Sequence, residues 1–495
     1  MVNSGLNSSS TELTRGLGLF GAITLVIGSM IGSGVFVSTA EAYDQVFHSP
    51  LLALFSWVIG AGITLMGALC FAELGCMYSK AGGEYEYLKN GLGRFWAFLF
   101  IWTQITVYAT GSIAIMAFTS ASYLMRLVFP LATDLTWQSS IAASVIVAIL
   151  TLVNCFGVVF VSKVQNALTV VKVLGILSIL ALGIYAFGKL DFSYLTSLGD
   201  LNQGFTYGED FKTWQFVFGF GSATVACLWA YDGWNNLSRV TEETQHVNRN
   251  LPLALLVSIG VVALIYFLMN ALYFVALTPA QLSSSKEIAI TTAQILTQDD
   301  PILSKLGIPF GIGFLIFLSS FGAVNGSVLS GARLFFAPAR DGLFLKFFAQ
   351  VSPKTHTPIA ALILQGAISI ALIMIGRDFA KLLNYFSFSA WLFYGLCAAV
   401  LICLRFSKPD QDRPFKVPGY PFTPIFFLIA ALFLIVSQVV NFPGESLLAL
   451  FVILLGIIPY QFFRKKSIDD SACRSVTEKD KTTTSSIERV VVSEC

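Results

Sequence analysis

The chain has 495 residues, of which 56% are hydrophobic and only 12% are charged, and its formal net charge at pH 7 is +2. Soluble domains carry about 25% charged residues, so a chain this long and this apolar could not shield its surface from water. The composition therefore excludes a soluble globular protein and indicates a membrane protein.

Runs of roughly 20 apolar residues, the length that spans a bilayer, recur along the whole chain. We predict twelve spans, which makes this an all-α polytopic membrane protein. Their ranges are 17–42, 51–78, 95–125, 139–160, 165–187, 214–238, 252–277, 309–337, 358–375, 380–404, 423–440 and 446–463. The first two runs nearly touch, as do the ninth and tenth, so counts of eleven and thirteen stay open.

The loops on the two sides differ in their content of Lys and Arg. One side, with the N-terminus, carries eighteen of the 30 basic residues, and the opposite loops carry seven. Because basic loops stay in the cytoplasm, both termini are predicted to be cytoplasmic. The sequence divides into an N-terminal tail 1–15 without signal-peptide features, a transmembrane domain 16–464 and a polar, disordered C-terminal tail 465–495.

The first span is interrupted by glycine, in the segment Gly28-Ser-Met-Ile-Gly-Ser-Gly-Val-Phe. Glycine costs about 1 kcal/mol relative to alanine inside a helix, so we predict unwinding near Ile31–Gly32. Ser33 and Gly34 would then begin a new half-helix whose N–H groups face a carboxylate, and the Met30 carbonyl would face an ammonium. The alternative is a close helix crossing, because glycines four residues apart also permit one.

Lys172 is the one Lys or Arg predicted in the middle of a span. It could tether the fifth span to the first, in the place where a coupling sodium ion would otherwise bind. Alternatively, its long side chain could snorkel to the cytoplasmic edge.

The sixth span is also interrupted, from Gly219 and Gly221 to the segment Trp229–Asn235. It enters the membrane in the direction opposite to the first span, which implies an inverted repeat of five plus five spans with two more appended. A pair of such segments is the best sequence indication of a secondary-transporter binding site.

Asp232 is a carboxylate deep within the second interrupted span, and such a residue marks a functional site by default. It could pair with the side chain of a cationic substrate, take up a proton during transport, or cap the helix end at the break. An unpaired Asp232 would be costly, because breaking a buried ion pair costs about 3–5 kcal/mol.

Other charges and loops carry weaker indications. Glu73 ends the second span and could form an inner-gate salt bridge or lie at the interface. The outside stretch Thr278–Ser304 begins with an N-cap and a proline-started helix, and it is long enough to form a lid. The C-terminal Val492-Ser493-Glu494-Cys495 could bind a PDZ domain or form a plain disordered end.

The sequence shows no sign of an enzyme. It has three histidines, no phosphate-binding loop and no nucleophile elbow. None of the eight cysteines falls in a predicted outside loop, and their spacing fits no metal site. We therefore expect no enzymatic activity, no cofactor, no metal and no nucleic-acid partner.

Taken together, six motifs of this chain resemble those of the L-type amino-acid transporters, the light subunits of heteromeric transporters in the amino acid–polyamine–organocation superfamily. The similarity covers roughly 15–465. Within the family it looks most similar to the type that exchanges cystine and dibasic amino acids for neutral ones, mainly because of Asp232. The motifs are Gly28-Ser-Met-Ile-Gly-Ser-Gly-Val-Phe, Gly67-Ala-Leu-Cys-Phe-Ala-Glu-Leu-Gly, Gly82-Gly-Glu-Tyr, Leu228-Trp-Ala-Tyr-Asp-Gly-Trp-Asn, Thr241-Glu-Glu and Asn384-Tyr-Phe-Ser-Phe.

The resemblance implies a LeuT-type fold, with spans one and six unwound, and sodium-independent obligatory exchange. It implies that Ser33 and Gly34 bind the substrate carboxylate, and that the carbonyls of Met30 and Trp229 bind its ammonium. Trp229 would also be an aromatic gate.

The same resemblance places further residues of the two interrupted spans at the substrate. Asp232 would bind a basic side chain, Asn235 would line the pocket, and Ile31 and Gly32 belong to the unwound segment that contacts substrate. Lys172 would occupy the lost sodium site.

One departure concerns the partner subunit. Heteromeric family members carry a cysteine between spans three and four that forms a disulfide with a single-span glycoprotein, and the loop Arg126–Gln138 has none. A heavy subunit is therefore expected to be non-covalent or absent.

The sequence thus predicts a sodium-independent exchanger of neutral and cationic L-amino acids in the plasma membrane. Two alternatives remain from the residues alone, namely proton-coupled uptake with Asp232 or Glu73 titrating, and a sensor that binds amino acids without moving them.

Overall fold

The structure is a computed structural model, and it describes residues 16–79, 82–156, 158–196, 213–285, 287–335, 338, 341–350, 352, 355 and 357–463. The predicted tails 1–15 and 465–495, including the C-terminal Val-Ser-Glu-Cys, lie outside the described residues.

The described residues form helices, with one isolated β-bridge between Leu17 and Thr244. A π-helical turn, Gln104–Tyr108, joins the fifth helix to the sixth, and a 3-10 turn follows the tenth helix at Thr241–Glu243. The helices are α1 Leu19–Met30, α2 Gly34–Gln45, α3 Pro50–Met77, α4 Glu84–Gly91, α5 Arg94–Thr103, α6 Ala109–Val128, α7 Thr136–Cys155, α8 Val158–Tyr185, α9 Thr213–Tyr231, α10 Asn236–Arg239, α11 Val247–Ala276, α12 Pro279–Ser284, α13 Ile288–Thr297, α14 Pro301–Lys305, α15 Ile308–Gly331, α16 Ile359–Gly376, α17 Phe379–Ser407, α18 Phe422–Asn441 and α19 Pro443–Leu455.

All twelve predicted spans coincide with helical segments of the described residues. By length and apolar composition alone, nine helices of that part could each cross a membrane, and the bent pair α1 and α2 brings the number of spans to ten. The other two predicted spans coincide with α8 and with α9 followed by α10. The predicted all-helical polytopic fold is confirmed.

The packing of the helices follows the predicted repeat. Each of the first four spans packs against the span five positions later: α2 on α9, α3 on α11, α6 on α15 and α7 on α16. Because successive spans alternate in direction and the partners are five positions apart, the two spans of each pair cross the membrane in opposite directions, as an inverted repeat requires. The appended span α18 packs against α17, α9 and α3.

Local capping signals in the sequence set several helix ends. Thr278 accepts a hydrogen bond from the Gln281 N–H in a capping box, and Pro279 begins α12, as predicted. Asp378 accepts from the N–H groups of Ala380 and Lys381 at the start of α17. These caps satisfy donors that the first helical turn leaves unpaired.

The outer faces of the helices are apolar, and polar side chains bond between spans. Leu264 and Ile375 are 60% and 75% exposed, which a bilayer would cover. Between spans, Thr39 donates to the Asn270 side chain at 2.7 Å, and Asn154 donates to Asn325 at 3.0 Å. Within lipid the hydrophobic effect does not drive helices together, so such hydrogen bonds help to hold them in contact.

The buried Glu73 lies at the end of α3 and binds the loop before α18. It accepts from Arg405 and from the Val417 N–H, both at 2.7 Å. Arg413 lies 3.6 Å away and donates to several backbone carbonyls of the same loop. Glu73 therefore fixes this loop against the second span.

Candidate functional site: a cavity between two broken helices

The first span is broken where the sequence predicts. α1 ends at Met30, Ile31 is extended with ψ at 99°, and Ser33 precedes the first residue of α2, Gly34. The two halves differ in direction by 49°. A Cβ on Gly28 would meet nothing within 4 Å, and one on Gly32 would make only ordinary contacts. The pair therefore does not form the close helix crossing that was the alternative.

The sixth span breaks within the predicted interruption, but only at its C-terminal end. α9 runs without interruption to Tyr231, so Gly219 and Gly221 lie inside a regular helix. Gly221 makes room for Ser437 of α18 instead. The break begins at Asp232 and turns at Gly233, whose φ of +105° few other residues adopt.

The two breaks touch each other through glycine. A Cβ on Gly34 would lie 2.5 Å from the Cα of Ala230, and a Cβ on Gly233 would lie 2.7 Å from the Ser29 carbonyl oxygen. Each break thus presses against the backbone of the other span. Only a residue without a side chain permits this approach.

A cavity of about 90 Å³ lies beside the paired breaks. Of the predicted site residues, six line it: Met30, Gly32, Ser33, Gly34, Trp229 and Asp232. Spans three and eight complete the wall with polar side chains that include Gln104, Tyr108 and Ser327.

Two of the predicted substrate-binding residues do not line the cavity. The Ile31 side chain is buried in the hydrophobic core. The Asn235 side chain donates to Glu84 of α4 at 2.5 Å, so it supports the break from outside.

Hydrogen-bond donors line one part of the cavity. The first N–H groups of α2 have no partner within their helix, and the helix dipole makes this end positive. The Ser33 hydroxyl is buried and has no hydrogen-bond partner among the described residues. This arrangement is suited to an anionic group.

Carbonyl acceptors lie at the ends of the two broken helices. The Tyr266 hydroxyl of α11 lies 2.8 Å from the Met30 carbonyl and 3.0 Å from that of Ala230. A carbonyl oxygen has two lone pairs, so the Met30 oxygen keeps one for another donor. The carbonyl of Trp229 accepts from the Asp232 N–H at 3.1 Å. Sequence reasoning missed Tyr266, since nothing near the breaks marks it.

Asp232 accepts hydrogen bonds from two buried phenols. The Tyr108 hydroxyl lies 2.8 Å and 2.7 Å from the two carboxylate oxygens, and the Tyr394 hydroxyl lies 2.5 Å from one of them. The two hydroxyls are 2.7 Å apart. Sequence reasoning missed both tyrosines. Both spans also carry other polar side chains, so nothing in the sequence singles these tyrosines out.

The charges of the cavity are unequally compensated. Asp232 and Arg239 are the charged residues in its described lining. Arg239 pairs with the buried Glu84, at 3.2 Å between Nη2 and Oε1. The hydrogen-bond partners of Asp232 are the neutral hydroxyls of Tyr108 and Tyr394, so its carboxylate forms no ion pair with the described residues.

An aromatic pair separates this cavity from a second one. The Trp229 ring lies edge-on to Phe379, with 5.3 Å between centroids. Phe379 lines the second cavity, of about 220 Å³, whose wall includes Ser283 and Glu287 from the predicted lid segment. Trp229 therefore lies between the two spaces.

Lys172 lies outside the cavity, between the fifth span and the first. Its side chain is buried, and its ammonium donates to the Gly28 carbonyl at 3.3 Å, two residues before α1 ends. The Lys172 side chain therefore does not snorkel to the surface, which was the alternative. The geometry agrees with a tether from α8 to the broken span.

Known proteins resemble the chain over nearly its full length. The amino acid permease family model matches residues 17–458. The chain is 34% identical to b(0,+)-type amino acid transporter 1 of Mus musculus, over 92% of this chain and 89% of that protein. It is 34% identical to Large neutral amino acids transporter small subunit 2 of Homo sapiens, over 92% and 82% respectively. It is 31% identical to Asc-type amino acid transporter 1 of Homo sapiens, over 91% and 82%.

The helix packing, the paired breaks and these similarities agree with one another. The chain belongs to the amino acid permease family, among the L-type amino-acid transporters.

Proposed function

We propose that this chain exchanges neutral and cationic L-amino acids across the plasma membrane, without sodium, by alternating access. The observation that carries the proposal is the cavity beside the two touching helix breaks. It offers hydrogen-bond donors, carbonyl acceptors and one carboxylate whose partners are neutral.

The backbone part of an amino acid fits the two breaks. Its carboxylate would bind the Ser33 hydroxyl and the N–H groups at the start of α2, and its ammonium would bind the Met30 carbonyl. Broken helices of transporters bind charged groups in this way, with N-termini toward anions and free carbonyls toward cations. Ile31 and Gly32 would contribute backbone to the same contact.

The substrate side chain would extend toward Asp232. Since the Asp232 carboxylate forms no ion pair with the described residues, a guanidinium or ammonium is favoured beside it. The names of the three relatives describe amino-acid transporters, one of them for large neutral amino acids. Neutral substrates are therefore proposed together with cationic ones.

Access to the cavity would alternate between its two sides. Trp229 and Phe379 would part to admit substrate from the second cavity, as an aromatic gate. On the other side, Lys89 of α4 and Asp341 would separate, while Arg239 and Glu84 stay paired. A conformational change that opens one barrier at a time would then move substrate across the membrane.

The test is uptake of radiolabelled arginine and leucine into proteoliposomes that contain only this purified chain, in sodium-free buffer. We expect uptake of both to require unlabelled amino acid inside the vesicles. Uptake that needs no internal amino acid and rises with an imposed pH gradient would establish proton coupling instead. Substrate binding without flux, shown by thermal stabilisation of the purified chain, would indicate a sensor.

Replacing Lys172 with methionine is expected to lower exchange at least tenfold. Methionine keeps the length of the side chain but loses a charged hydrogen bond, worth about 1.5–3 kcal/mol, to the end of α1. The measurement is leucine exchange in sodium and in choline buffer, with the partly exposed Lys189→Met as control. Full activity of Lys172→Met, or a sodium requirement of the unchanged protein, would contradict the tether.

We also propose that the chain needs no disulfide-linked heavy subunit, because the loop between α6 and α7 has no cysteine. A non-covalent heavy subunit and a PDZ-domain protein at the C-terminal Val-Ser-Glu-Cys remain proposed partners. Affinity purification from membranes in mild detergent, with and without removal of Cys495, tests both.

A further inference from the structure

The surroundings of Asp232 address a difficulty that the proposed function raises. A site that takes both arginine and leucine must stabilise a buried carboxylate when the substrate brings no positive charge. An ionised group without a partner in a buried cavity is strongly disfavoured. A polar group of the protein could take the place of the cationic side chain.

Tyr108 and Tyr394 are held toward Asp232 by packing that is independent of it. Tyr108 ends the π-helical turn of span three, and its ring lies 4.6 Å from that of Phe386. The Tyr394 ring packs against Trp234 at 5.5 Å. π-helical turns occur frequently at functional sites. Both hydroxyls are thus positioned before any substrate enters.

The two phenols leave room for a cation. A carboxylate has about four lone-pair positions, and the two hydroxyl protons can fill two of them. A hydroxyl also carries no charge, so it does not repel an incoming ammonium. Arg239 would repel one in the same place, but its charge is paired with Glu84.

We propose that Tyr108 and Tyr394 allow this site to accept neutral substrates beside cationic ones, an inference that rests on the proposed function. With a neutral side chain in the cavity, the phenols are the partners of Asp232. With a cationic side chain, the guanidinium or ammonium binds the remaining lone pairs. The tyrosines act through Asp232 and are positioning residues.

The test compares Tyr108→Phe, Tyr394→Phe and the double variant in proteoliposome exchange. Phenylalanine keeps each ring and removes its hydroxyl. We expect the double variant to raise the KM for leucine about tenfold or more and that for arginine less than about threefold. Each single variant should shift the preference toward arginine by a smaller factor, which keeps the test decisive if the double variant does not fold.

Two controls separate this role from a structural one. Tyr385 lies on α17 like Tyr394, but its ring packs in a separate apolar cluster with Val107. Tyr385→Phe should therefore leave the preference between arginine and leucine unchanged. In the Asp232→Asn background, removing the phenols should change the KM for the remaining neutral substrate less than about threefold, because no carboxylate is left to satisfy.

The outcomes are distinct. If the unchanged protein exchanges both substrates and the phenylalanine variants raise both KM values equally, the inference is wrong and the proposed function stands. A larger loss of arginine than of leucine would also overturn it. If the unchanged protein does not exchange arginine for leucine, the proposed function itself fails, and this inference fails with it.

Discussion

Replacing Asp232 with asparagine is expected to reduce arginine and lysine exchange by about tenfold to a hundredfold, while leucine exchange stays within about threefold. Hydrogen bonds to a charged partner contribute about 1.5–3 kcal/mol, and each 1.4 kcal/mol is a factor of ten in affinity. Asparagine keeps the shape of the side chain and can still bond both phenols. The measurement is the KM for arginine, lysine and leucine in exchange-loaded proteoliposomes.

The matched control for Asp232 is Asp299→Asn, which removes a carboxylate of 71% exposure near the surface. It should leave all three substrates unchanged, because exposed ion pairs contribute little. Equal loss of every substrate in Asp232→Asn would contradict the ion-pair role and favour the capping one. A lost response to an imposed pH gradient would favour proton uptake.

Replacing Gly34 or Gly233 with alanine is expected to lower exchange of all substrates equally, by a hundredfold or more. At either position the new Cβ would lie under 3.0 Å from the backbone of the other broken span. Backbone cannot move aside as a flexible side chain can, so the two breaks must separate and the cavity between them must change shape. At Gly233 the positive φ adds strain to the clash.

The control for these glycines is Gly62→Ala in α3, where a Cβ would meet nothing within 4 Å. This change should preserve exchange, because alanine is favoured over glycine in a helix. Size-exclusion chromatography of each variant separates lost transport from lost folding. Retention of more than half the activity in Gly34→Ala or Gly233→Ala would show that the close approach is not required.

Much of the fold follows from the sequence because lipid imposes one solution. Hydrocarbon cannot satisfy free backbone groups, so long apolar runs must be helices, and their positions could be predicted. The break in the first span was also predictable, since Gly32 and Gly34 lie at the interruption itself. The second break was predicted too broadly, because Gly219 and Gly221 were included in it although they lie inside α9 and allow close packing of other helices.

The partners of Asp232 could not be predicted from the sequence. Tyr108 and Tyr394 come from spans 124 and 162 residues away, and the π-helical turn that precedes α6 sets the rotation of Tyr108. No local pattern records such a turn. Asn235 is a residue that the sequence placed in the site wrongly. Gly233 and Asn236 line the cavity, but the Asn235 amide donates to Glu84 outside it.

The short helix α4 forms ion pairs with two other parts of the molecule, and the two pairs differ in how exposed they are to solvent. Through Glu84, which is 1% exposed, it holds Arg239 at the end of the sixth span. Through Lys89 it reaches Asp341, at 2.6 Å, where both side chains are nearly a third exposed. Dissolved ions screen the second contact far more than the first. When the molecule opens on the side of α4, we therefore expect the contact between Lys89 and Asp341 to break first. The Glu84–Arg239 contact should persist, so α4 should move together with the sixth span. Ionic strength on this face would then alter the rate of turnover more than the affinity for substrate.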